Sequence, residues 1–171
     1  MSQLKVNSIV PIGGIPSTGG NVYGGGIIQI VQQQTNTQVR MTATSFTDIG
    51  LSATITPTSS SSKILVTYDV QSRVFIIAND NAGNLQIVRG STPLSPPTES
   101  YQYGYGARSQ YANNASISYM VMRSILDSPN TTSATTYKIQ GKCRDNTSTN
   151  SVDFQDDDEF FSFLTLMEVS G

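Results

Sequence analysis

Between Leu51 and Val70 the chain alternates. Leu51, Ala53 and Ile55 fall on one side, and Ser52, Thr54 and Thr56 on the other, the period of two that a strand with one buried face requires. Pro57 then removes a ladder donor, and Ser59 to Ser62 offer no side chain worth burying, so the chain must turn there. After Lys63 the alternation resumes, with Ile64, Val66, Tyr68 and Val70 against Leu65, Thr67 and Asp69. The segment reads as strand, turn, strand.

The rest of the sequence repeats this grammar. An apolar run from Ile27 fades into glutamines, and Gln38 to Phe46 alternates weakly through Val39, Met41 and Ala43. Asp48-Ile49-Gly50 reads as a turn, and the cluster from Asn79 to Asn84 as another. Between them the strand of the opening stretch continues apolar through Arg73 to Ala78, and Leu85, Ile87 and Arg89 then alternate with their neighbours. Ser91 to Asn114 is the longest irregular segment, broken by Pro93, Pro96 and Pro97. Further strands are predicted over Ile117 to Leu126, Tyr137 to Cys143, Val152 to Phe154 and Phe160 to Val169. The segments Asp127 to Thr135 and Asp145 to Ser151 read as loops between them. No segment carries the 3.6-residue apolar period of a helix.

About nine or ten short strands at such spacing predict an all-β chain. The expected architecture is a jelly-roll-like antiparallel β-sandwich, whose closure would protect the edges of so many uncharged strands. Residues 1–26 carry too many glycines and prolines for a longer element. They read either as a tail or as an extended arm that orders against another subunit, and the apolar beads Leu4, Val6, Ile9, Val10, Ile12 and Ile15 favour the arm. Residues 27–171 would then form the knob. Ile117 to Leu126 and Phe160 to Val169 are apolar on both faces, whereas antiparallel sheets normally leave one face polar. The long loop or a neighbouring subunit must cover them, and symmetric homo-oligomers are the common solution, with a homotrimer favoured here.

Composition sharpens this picture. Only 13% of the 171 residues are charged, well under the roughly 25% of an average domain. With 37% hydrophobic residues and a net charge of −2, the neutral polar surface belongs to a folded chain and not to a disordered one. A weakly acidic balance, pI ≈ 4.9, argues against nucleic acid as a partner. No apolar stretch is long enough for a transmembrane helix, and the N-terminal residues lack the apolar core of a signal peptide. Synthesis in a cytoplasm is therefore expected, in agreement with a single cysteine, Cys143. A surface of this kind on a chain that is not secreted suits a virus particle, which lysis releases.

Candidate chemistry is sparse. The chain has no histidine, which removes the usual general base, the Ser-His-Asp and Cys-His arrangements and most transition-metal sites. Lys142 and Arg144 flank Cys143 and would lower its pKa, but with no resolving thiol or histidine it reads as a strand-end thiol. Asp153 and the run Asp156 to Glu159 offer oxygens to a hard cation without the spacing of an EF-hand, or a carboxylate pair for glycoside hydrolysis. A solvated turn guarding the Phe-rich last strand is the favoured reading. No cofactor or metal is expected. Tyr101, Tyr103, Tyr105, Arg108 and Tyr111 make the best binding candidate, because tyrosine and arginine give large contact area at low entropy cost. Packing of alternate tyrosines on a strand is the equal alternative.

Four segments carry a resemblance. Thr42 to Val66 (TATSFTDIGLSATITPTSSSSKILV), Leu126 to Gln140 (LDSPNTTSATTYKIQ), Leu164 to Val169 (LTLMEV) and the opening Leu4 to Ile9 (LKVNSI) resemble, in their order along the chain, a module recurring in virion proteins of tailed phages, notably those infecting cyanobacteria and marine bacteria. The resemblance implies a tail-fibre or other appendage protein with a trimeric β-sandwich tip. This chain departs in having no shaft, coiled coil or repeats, which raises a capsid decoration (cement) protein as the alternative. In either role residues 1–26 would attach the knob to other phage structural proteins, through Leu4, Val6, Ile9, Ile12 and Ile15. The expected function is thus non-enzymatic and structural, located in the virion. The tyrosine segment would face a host-surface receptor, a glycan being the candidate.

Overall fold

The computed structural model describes residues 26–76, 81–94, 105–107, 115–144, 150–155 and 160–170. Every regular element among them is a strand. In chain order these are β1 (Ile27–Thr35), β2 (Val39–Met41), β3 (Thr47–Ile55), β4 (Lys63–Ile76), β5 (Asn81–Arg89), β6 (Thr92–Pro93), β7 (Tyr105–Ala107), β8 (Ala115–Asp127), β9 (Thr135–Cys143), β10 (Ser151–Phe154) and β11 (Ser162–Val169). The proline-serine segment between β3 and β4 is the expected turn, closed by a hydrogen bond from the Ser62 amide to the Ser59 carbonyl, 3.1 Å.

The strands form two antiparallel sheets, the coarse architecture of a β-sandwich. One has six strands in the order β1-β11-β4-β10-β2, with β8 on the other edge of β4; the second runs β3-β9-β5-β6, with β7 also on β5. Strand β4 is long enough to serve three partners. β8 pairs with its whole length, β11 with Lys63 to Asp69, and β10 with Ser72 to Phe75.

Alternation sets the core. Ile49, Leu51, Ala53 and Ile55 of β3 are buried and meet Ile64, Val66, Tyr68, Val70 and Val74 of β4, Tyr137 and Ile139 of β9, and Leu164 and Leu166 of β11. The side chains between them stay half-buried or exposed, except Gln71 and Ser72, which are buried. At about 25 cal/mol per Å² of apolar surface removed from water, this shared interior is the dominant stabilising term. Cys143 is the expected strand-end thiol, fully buried, with its Sγ 3.1 Å from Asn81 Oδ1.

Two predicted turns are strands instead. Asp48-Ile49-Gly50 lies inside β3, where Gly50 takes φ +80° and the pairing with β9 shifts between Asp48 and Ser52. A bulge glycine gives the same local signal as a turn glycine. Asn81 to Asn84 opens β5, because the Asn81 side chain is consumed inside the protein. Its amide donates to the carbonyls of Phe75 and Ser151 at 2.8 and 3.0 Å. Conversely, the strand expected over Gln38 to Phe46 is confined to Val39–Met41.

Candidate interaction surface

The outward face of the six-stranded sheet is where the large exposed apolar side chains collect. Ile30 of β1 lies opposite Met167 of β11, Met167 opposite Leu65 of β4, and Leu65 opposite Leu126 of β8. One apolar row therefore crosses four strands. Beside it Ile27 faces Val169, and two rows along Phe163, Asp69 and Met122 align. The row between, Gln32, Thr165, Thr67 and Ser124, is polar and partly self-satisfied, with Gln32 Nε2 donating to Thr165 Oγ1 at 2.9 Å. Phe161 adds its ring to Phe163 with centroids 6.4 Å apart. Met122 is 70% exposed, Ile27 and Ile30 57%, Met120 55% and Leu126 53%.

Four strands at ~4.8 Å spacing and about nine residues of strand length make a face on the order of 500 Å². Its apolar rows take only part of that area, and exposed apolar patches of a few hundred Å² are often functional. The expectation that β8 and β11 are apolar on both sides thus becomes specific. Their inner sets (Tyr119, Val121 and Ile125; Leu164 and Leu166) pack on the core, and their outer sets face away from it.

Two polar sites were not singled out from the sequence. Arg89 Nη1 donates to both carboxylate oxygens of Asp127, at 2.8 and 2.7 Å, and the Tyr137 hydroxyl donates to Oδ2 at 2.7 Å. Burial, and then the bond to the carboxylate, push the Tyr137 phenol far above its ordinary value, so it remains a donor. Arg89 also lines an open cleft of ≈ 360 Å³ with Gly90, Pro129, Thr131, Ala134, Thr135 and Thr136. With both oxygens engaged, Asp127 holds the start of the β8–β9 loop. On the opposite flank Asp153, fully buried, accepts from Arg40 Nε and Nη2 at 2.9 Å each and from Gln38 Nε2 at 3.0 Å. It therefore belongs to a β10–β2 clamp. Each partner lies too far away in sequence for spacing to reveal it.

Of the predicted site residues, Tyr105 begins β7, whose backbone pairs with β5 through Gly83. Tyr101, Tyr103, Arg108 and Tyr111, the arm residues Leu4, Val6, Ile9, Ile12 and Ile15, and the run Asp156 to Glu159 all lie outside the described residues. Among the described residues no group of three or more His, Cys, Asp or Glu side chains is placed to hold a metal ion, and no helix is long and apolar enough to cross a membrane.

No family model matches the chain and no curated protein matches it. Fourteen chains of solved structures do match. One is dimeric latent PorU from Porphyromonas gingivalis, at 10% identity and TM-score 0.42, over 84% of this chain and 14% of PorU. The chain thus spans about a seventh of the length of that protein.

Proposed function

We propose that this chain is a non-enzymatic structural component of a tailed-phage virion: a self-associating, jelly-roll-like knob at a tail-fibre tip or other appendage. It would be tethered to the particle by residues 1–26. The observation that carries the reading is the outward face of the six-stranded sheet. A chain that spends Ile30, Met122 and Leu126 on an exposed surface is built to be covered by another protein. The neutral, histidine-free composition and the resemblance of the segments from Thr42 to Val66 and from Leu126 to Gln140 support it. The tyrosine segment Tyr101, Tyr103, Tyr105, Arg108 and Tyr111 is then the receptor-facing candidate, for a host-surface glycan. Capsid decoration is the second reading, in which the same exposed apolar face would lie against the capsid.

Quantitative densitometry of purified virions tests both. On the order of tens of copies per particle supports the appendage, and hundreds of copies, with capsids that weaken without the protein, support decoration. A purified particle that lacks the chain overturns both.

A further inference from the structure

Among the described residues strand β8 stands at a sheet edge. It pairs with β4 from Ala115 to Asp127 without a register shift, and among the described residues no strand pairs with its other side. Natural edges are blunted by proline, lysine, bulges or brevity. This one has 13 residues, with Arg123 and the terminal Asp127 as its charges and neither proline nor lysine.

Its sequence is also nearly the same read in both directions from Val121. Met120 mirrors Met122, Ser118 mirrors Ser124, Ile117 mirrors Ile125, and Tyr119 mirrors Arg123. In a two-fold antiparallel pair of identical strands, each residue meets its mirror position on the other copy. Here that rule sets isoleucine against isoleucine on the inner face, and methionine against methionine and serine against serine on the outer face. Of the unlike pairs, the central one sets the Arg123 guanidinium beside a tyrosine ring, an attractive match, and keeps the two arginines apart, while Ser116 meets Leu126 and Ala115 meets Asp127 at the two ends of the strand. No register shifted by two residues preserves all of these matches.

We propose that two copies join β8 to β8 in antiparallel register centred on Val121, so that two six-stranded sheets become one continuous sheet. The backbone bonds of the edge supply affinity and the mirrored side chains supply register. Met120 and Met122 of both copies then form one cluster that continues the row of Phe163, Asp69 and Met122 across the two-fold. This inference does not rest on the virion reading. It requires even-numbered assemblies, where the resemblance implies three copies.

The test uses the full chain of 171 residues. Sedimentation and light scattering should give a mass twice the monomer's 18.4 kDa, or an even multiple of it. Ser118→Cys with Ser124→Cys in one chain places a thiol opposite a thiol across the two-fold, so oxidation should yield a covalent dimer on a non-reducing gel. Each single variant should not, because its own mate lies roughly 20 Å along the strand. Cys143 is buried and stays silent. Met120→Lys with Met122→Lys, at exposed positions, sets lysine against lysine and should weaken association at least tenfold while the monomer stays folded by circular dichroism. A wild-type chain that is monomeric or trimeric overturns the proposal. So does a dimer in which the double-cysteine variant fails to cross-link, or one in which the single variants cross-link equally fast.

Discussion

Glu168 is a carboxylate with no exposed surface, held by donors rather than by a cation. Its Oε1 accepts from the Thr58 amide at 2.7 Å and the Thr58 hydroxyl at 2.6 Å, and its Oε2 from Gln29 Nε2 at 2.6 Å. These bonds tie the proline-serine turn to β11 and β1. Burial alone would raise the pKa of Glu168, but the bonds from Thr58 and Gln29 outweigh it and bring the group from 4.5 to about 2. A folded-state pKa below the unfolded value means stability that is present above pH 4.5 and is lost as pH falls toward about 2. Glu168→Gln should therefore cost about 1–3 kcal/mol at neutral pH, since an amide donor would face donors. It should also flatten the fall in the urea midpoint across that acid window. A variant whose acid profile runs parallel to the wild type would show that Glu168 is not the sensing group. Nothing local in the sequence marks this residue, because Thr58 and Gln29 are brought to it only by the fold.

At the scale of elements, the strands that alternate cleanly, β3 from Leu51, β4 and β9, are legible from the chain because one face is buried and the other is wet. Gly50 and Asn81 mislead for the same reason as each other. A residue type enriched in turns is used inside a strand, once for a bulge and once to satisfy buried carbonyls. Gly141 shows what pattern cannot reveal. A Cβ there would lie 2.5 Å from the Cε2 and Cζ atoms of Phe154 and 3.0 Å from Ile49 Cγ2, so β9 admits the buried ring of β10 only because it has no side chain at that point. Gly141→Ala should destabilise the fold by about 1–3 kcal/mol through overpacking. Combined with Phe154→Leu, which shortens the ring's reach, it should cost clearly less than the sum of the two single changes. Additive losses in a denaturation cycle would show that the two positions are not in steric contact. The same limit applies to β8: both of its apolar faces are visible in the sequence, but that it stands at a sheet edge is a property of long-range pairing.

At the scale of the whole molecule, the question is whether residues 1–26 belong to the knob or only attach it. The buried apolar cluster among the described residues runs from Met41 to Leu166, and of β1 only Val31 packs against it. Ile27 and Ile28, the first strand residues, are exposed, so the chain joins the sandwich at its surface and not through its core. Removing residues 1–26 takes none of the named side chains out of that cluster and leaves the β1–β11 pairing, which begins at Ile27, intact. Truncation is tolerated where it leaves no buried backbone group unpaired. The shortened chain should therefore melt within about 2 °C of the full one, since 1 kcal/mol is worth about 2–4 °C at this size. It should also keep the full chain's association state, because strand β8 is untouched, and should no longer appear on particles in a complementation assay. A loss of cooperative unfolding would instead make residues 1–26 part of the core, and undiminished incorporation into particles would assign attachment to the apolar sheet face that begins where they end.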